Sequence, residues 1–146
     1  MDIEIFALCD AATDSGGKLN ILGAFDRIYV RQLPAVHPHC AIALRIRFDR
    51  IEAGEHRVRI SLIDADGKPV IPSLDGNINV NIPPDLTSIC ANLVLDINGL
   101  KLEKADLYSI ELAIDGRHEK SLPLTVVQIK PPRQSPEQPP PPSSLS

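Results

Sequence analysis

Two short stretches, "ALRIRF" and "HRVRISL", set Arg45, Arg47, Arg57 and Arg59 at alternate positions among aliphatic residues. A guanidinium is a planar, permanently charged fork suited to carboxylates and phosphates, and alternation puts the two arginines of each stretch on one side of a strand. Four such groups on one surface would make an interaction face for an anionic partner: the acidic surface of a second copy, or another anionic macromolecule. If the stretches pair as a hairpin through "DRIEAGE", matching their apolar sides sets Arg47 near Arg57 and Arg45 near Arg59. Directly opposed like charges cost roughly a few tenths of a kcal/mol or more per pair. Acids on a neighbouring strand, such as Glu4 or Glu111, are therefore expected to interleave with them.

Carboxylates gather in two neighbouring segments, "DADG" with Asp64 and Asp66, and "LDGN" with Asp75. The Asp64–Gly67 and Asp75–Asn77 loops are candidates for calcium or a small ligand. Calcium takes about six to eight oxygens, and the twelve-position loop closed by a glutamate is absent. Asp-x-Asp-Gly is also ordinary turn chemistry. "HPHC" supplies His37, His39 and Cys40, but zinc needs about four ligands and no second ligand pair lies nearby. The nucleophile elbow, the phosphate-binding glycine loop and the H-E-x-x-H zinc helix are all absent, and "SGGKL" has the residues of a phosphate loop without its spacing. These motifs assign no cofactor and no catalytic residue, and the chain reads as non-enzymatic.

The elements that would position these residues read as strands. Strand-like runs cover Ile3–Cys9, Lys18–Val30, Cys40–Phe48, His56–Ile63, Gly76–Ile82, Ser88–Ile97, Leu107–Ile114 and His118–Ile129, with turn formers between them. No run of ten or more residues keeps a helical period. Some seven to nine strands at this spacing predict an all-β, two-layer antiparallel β-sandwich, immunoglobulin-like or of related Greek-key topology. Leu44, Ile46 and Phe48, with Val58, Ile60 and Leu62, are predicted core. Tyr108, Ile110, Leu112 and Ile114 form one apolar side, and Leu122, Leu124 and Val126 another. Matching those two sides across a hairpin asks for an odd loop, with three residues and Gly116 in the left-handed position.

In "GKLNILGAFDRIYV" the apolar positions change parity around Gly23: Leu19, Ile21 and Phe25 are odd, Ile28 and Val30 even. A strand changes its buried parity through a bulge or by crossing from one sheet to the other, and glycine is a usual residue at either. Gly23 is assigned to architecture rather than to a ligand.

"ADLYSIELAIDG" resembles the strand of immunoglobulin-like sandwiches that opens with an Asp-x-Tyr corner, here Asp106 and Tyr108, the phenol tying the preceding loop to the sheet. Separately, "ALCDAA", "GKLNILGAFDRI", "HPHCAIALRIRF" and "ISLIDADGKPV" resemble a family of short, uncharacterised bacterial proteins across most of residues 1–130. That resemblance implies no activity and transfers no functional residue.

Of the fourteen prolines in 146 residues, seven fall in the last sixteen positions. This divides the chain into a 1–130 domain and a 131–146 tail expected to be disordered and to serve as a solubiliser or linker, the alternative being a groove-binding peptide, whose spacing "PEQP" has. A domain of this length buries about two-thirds of its unfolded surface. With 43% hydrophobic but only 3% aromatic residues, its core must be aliphatic. A net charge of −4 makes nucleic acid an unlikely partner. Acidic Asp2 and Glu4 do not suit a secretory signal, and no apolar run reaches membrane-spanning length. Cys9, Cys40 and Cys90, odd in number and widely spaced, read as reduced thiols. The expected protein is cytoplasmic, is not held in a membrane, and acts as an interaction or assembly module with a protein partner or with itself.

Overall fold

The computed structural model describes residues 1–130; the proline-rich segment 131–146, with its expected disorder, lies outside the described residues. The alternating runs form nine strands among the described residues: β1 (Asp2–Ser15), β2 (Lys18–Ala24), β3 (Arg27–Val30), β4 (Ala35–Asp49), β5 (Gly54–Ile63), β6 (Leu74–Val80), β7 (Ser88–Leu102), β8 (Leu107–Ile114) and β9 (Arg117–Gln128). Between β4 and β5 lies one 3-10 turn, Arg50–Glu52. The strands make a four-stranded sheet, β2-β1-β4-β7, and a five-stranded sheet, β3-β9-β8-β5-β6. All pairings are antiparallel except β3 with β9, which is parallel. No helix among the described residues is long and apolar enough to cross a membrane.

One aliphatic core lies between the sheets. From the four-stranded sheet it takes Phe6, Leu8, Ile42, Leu44, Ile46, Phe48, Leu100 and Leu102; from the other, Val58, Ile60, Leu62, Ile110, Leu112, Leu124 and Val126. Alternation sends the intervening residues outward. On the outer side of β4, however, Ala41 and Ala43 are also fully buried, together with Cys9. Beyond Cys9 the pairing of β1 with β4 ends, and the β1–β2 hairpin folds back over its own sheet. Ala12 and Leu19 pack on this small outer cluster, and the carbonyl of Gly17 accepts a hydrogen bond from Asn92 Nδ2 of β7 at 3.1 Å.

After Ala24, which still pairs with Cys9, the chain crosses between sheets at Phe25 and Asp26, from the outermost strand of one, β2, to the outermost strand of the other, β3. Gly23, next to last in β2, has a φ of +67°, a left-handed backbone conformation. The parity change is this crossing, one of the two causes expected for it.

Two expected hairpins differ. The β8–β9 loop has two residues, Asp115 and Gly116, both at positive φ, instead of three. The parity is corrected inside β9: Ala113 pairs with His118 but Leu112 with Lys120, leaving Glu119 as an extra bulged residue. The hairpin expected through "DRIEAGE" does not form. β4 and β5 belong to different sheets, because the 3-10 turn carries the chain across the core. Arg47 therefore does not face Arg57, nor Arg45 Arg59.

A side chain at Gly23 meets both this backbone conformation and Asp10, whose carboxylate oxygen would lie 2.5 Å from a Cβ. Gly23→Val should destabilise the domain by about 1–3 kcal/mol. Gly23→Asn should cost less, since asparagine tolerates the left-handed region. Denaturant titration of both variants checks this, and equal losses would place the cost in the Asp10 contact instead.

Candidate functional site

The four arginines fall into two pairs on opposite outer surfaces. Arg45 and Arg47 project from β4 and converge on Glu4 of β1, with Nε–O distances of 3.1 and 2.8 Å. Their remaining N–H groups donate to Asn92 and Ser88 of β7 at 3.0 Å. The bulge between Ile3 and Ile5 in β1 lies at this acid. Arg47, then the Cys90 thiol, then Arg45 hydrogen-bond Glu4 and outweigh its partial burial, holding its carboxyl at about 2. Glu4 is thus the expected interleaving acid, one carboxylate shared by two guanidinium groups. On the other sheet Arg59 pairs with Asp75 at 2.9 Å. Among the described residues nothing pairs with the Arg57 guanidinium, which borders a shallow dish with Asn77 and Gly76. Glu111, the other expected partner, contacts neither arginine pair.

Instead Glu111 joins Ser109, His118 and Ser121 on the outer face of β8 and β9. Serine, histidine and a carboxylate within hydrogen-bond reach resemble a hydrolytic triad in composition. Here one nitrogen, His118 Nε2, meets both the carboxylate and the Ser121 hydroxyl. A relay needs the acid on one ring nitrogen and the nucleophile on the other, and the cluster lies on an open sheet face. Partial burial works to raise the Glu111 carboxyl, but hydrogen bonds from Ser109, Ser121 and His118 leave it lowered.

The expected ligand carboxylates are not brought together. Asp64 Oδ1 accepts the backbone N–H groups of Asp66 and Lys68, both at 2.9 Å, which is turn chemistry. Asp75 is on β6, held by Arg59. Asp64 and Asp66 do line a cleft of about 340 Å³ with Lys101, Lys104, Asp106 and Tyr108. At its wall Tyr108 donates its phenol hydrogen to the Lys104 carbonyl at 2.7 Å, the corner expected from the sequence. His39 contacts Asn98 at 2.8 Å, His37 packs near Phe25, and Cys40 turns into the core, where burial pushes its thiol up to about 11. Among the described residues no three His, Cys, Asp or Glu side chains are placed to hold a metal ion. Cys9, Cys40 and Cys90 are free thiols.

The surface that stands out is backbone. β7 runs fifteen residues and pairs with β4 along one edge from Ser88 to Leu102. Along its other edge, among the described residues, no strand pairs with it and no loop backbone bonds to it. β6 lies beneath, where Gly76 without a side chain admits Leu93, but the two are not hydrogen-bonded. Residues Ser88 to Leu95 are all half-buried, on both faces of the strand. Sequence alone marked this run as a strand; its uncharged "SICANLVL" was the available signal, but which strand ends a sheet is a long-range property.

The family model that describes itself as a family of unknown function (DUF6941) matches residues 4–127. No curated protein matches the chain.

His56 offers a test of the loop framework. It stacks on Phe48, with ring centroids 4.7 Å apart, and presents Nε2 to the Glu52 carbonyl and Nδ1 to the Asp115 carboxylate, both at 2.6 Å. Two acceptors favour the doubly protonated ring, and the Glu52 carbonyl, followed by Asp115, raises its pKa above 6.5 despite burial. A raised pKa contributes stability that is complete below 6.5 and lost as pH rises through the folded value. Tm should therefore decline on going from pH 6.5 into the alkaline range, and His56→Gln should flatten that decline. Parallel Tm–pH curves for the two proteins would exclude the ionised histidine as a contributor.

Proposed function

The chain belongs to that family of unknown function, and we propose that its role is to join other protein through the free edge of β7, as a non-enzymatic interaction module. The observation that carries the reading is that edge. Unpaired N–H and C=O groups in a row form a template for an added strand, which gains affinity from backbone hydrogen bonds and selectivity from alternate side chains. Proteins that leave an edge free usually shorten, bend or charge it, and β7 has none of these from Ser88 to Leu95.

We also take the fold to be an immunoglobulin-like sandwich. The Tyr108 corner, the parallel pairing of β3 with the last strand β9, and the crossing from β2 to β3 support this. In that scheme β1, β4 and β7 correspond to the first three strands of the four-stranded sheet, and among the described residues no strand takes the place of the one that would cover β7. A second reading, a small polar ligand bound in the cleft of Asp64, Asp66, Lys104 and Asp106, is favoured by the volume of that cleft.

A photoreactive phenylalanine derivative at Asp96, exposed on the outer side of β7, tests the first reading in the protein's native cells. Asn77, exposed on the other sheet, is the control. Adducts from position 96 and none from 77 are expected. Adducts from 77 alone would move the interface to Arg57 and Arg59, and none from either would refute the module reading. For the second reading, calcium should leave Tm unchanged; a rise with saturation would favour the cleft.

A further inference from the structure

We propose that the partner of β7 is a second copy of this chain: two β7 strands pair antiparallel about a twofold axis, fusing two four-stranded sheets into one of eight. This rests on reading the β7 edge as the docking surface, and adds what docks there.

The four sheet edges are unequal. β3 has four residues, β2 has seven with Lys18 at its start and the Gly23 bend near its end, and β6 has seven with Asp75 and Gly76. β7 has fifteen, its register with β4 keeps one offset, and its one left-handed residue, Gly99, lies beyond the run Ser88–Leu95, which no bulge interrupts. From Ser88 to Leu95 it holds no charge, proline or glycine. Antiparallel pairing of such a run forms about one hydrogen bond per residue.

The strand is also complementary to itself. Joining two sheets into one requires residues of the same parity to face each other, so that inward sides stay inward. Pairing centred on Asn92 does this: Ile89 meets Leu95 and Ala91 meets Leu93 on the inner side. These four side chains are only partly buried where they pack on the core, so a second strand completes their enclosure. On the outer side Cys90 meets Val94, and Asp96, the one charge before Gly99, meets Ser88. No like charges are opposed, although the chain carries a net −4. An interface in which one patch meets itself is what a closed twofold dimer needs.

The test uses the full chain. Sedimentation equilibrium up to about 100 μM should give a dimer. In a Cys90→Ser background, single cysteines placed in turn at 91, 92, 93 and 94, with Cys90 itself as the fifth position, are then oxidised mildly. The position nearest the twofold axis should form a disulfide-linked dimer and its neighbours at least tenfold less. Cys9 and Cys40 are fully buried and do not compete. A monomer over the whole range overturns the proposal, as does a dimer that no position from 90 to 94 can link. A monomer whose position 96 still gives adducts with another protein in cells would overturn self-pairing alone. A monomer without adducts would remove the docking edge as well.

Discussion

The structure depends on burying one side of β4 between two paired neighbours. Ile42, Leu44, Ile46 and Phe48 are at most 1% exposed, and they can be so only because β1 and β7 flank the strand and the second sheet closes over it. With 3% aromatic residues the layer between the sheets is filled by branched aliphatics, each contributing about 1.5–3 kcal/mol when fully buried. The 3-10 turn at Arg50–Glu52 then lifts the chain to the opposite sheet. Arg50 fastens that turn to the β6–β7 loop through the carbonyls of Pro84, at 2.8 Å, and Leu86, which sets where β7 begins.

What was legible in the sequence was local. Alternation located the strands as eight runs, one of which, Lys18–Val30, holds both β2 and β3, and Leu107–Ile114 has the bounds expected for it. Gly23 and the Tyr108 corner were legible because a parity change and an Asp-x-Tyr spacing are carried by a few adjacent residues. Sheet membership was not. "RIRF" and "RVRI" alternate identically whether they pair in one sheet or face each other across a core, so the arginines looked like one surface and are two. The odd loop expected before β9 failed for a related reason: a loop and a bulge correct parity equally well, and Glu119 gives no sign of being the extra residue. The free edge of β7 is the same kind of fact, since being last in a sheet is decided by every other strand.

Charge in this fold is mostly used up locally. Glu4 answers two arginines and the Cys90 thiol, Asp75 answers Arg59, and Asp115 serves both His56 and the Arg57 backbone N–H at 2.9 Å. Exposed pairs of this kind are worth about 0–1 kcal/mol, so they orient strands and turns more than they stabilise them. Satisfied in this way, most of them present little to a partner. A backbone edge, rather than a charged face, is proposed as the docking surface for this reason.

The hairpin fold-back bears on that conclusion. Burying Ala41 and Ala43 on the outer side of β4 needs small residues there and a cover, and Ala12 and Leu19 supply the cover. The cover ends at Gly17, whose carbonyl is held by Asn92, the residue that also accepts from Arg45. The outer side of β7 is thus fixed at its middle by a link to β1–β2 and to β4, while its edge groups stay open. A strand loses less conformational entropy on docking when it is already fixed in place. The same contacts that close the outer cluster therefore also hold the middle of β7 in place, as the proposed pairing of that strand requires.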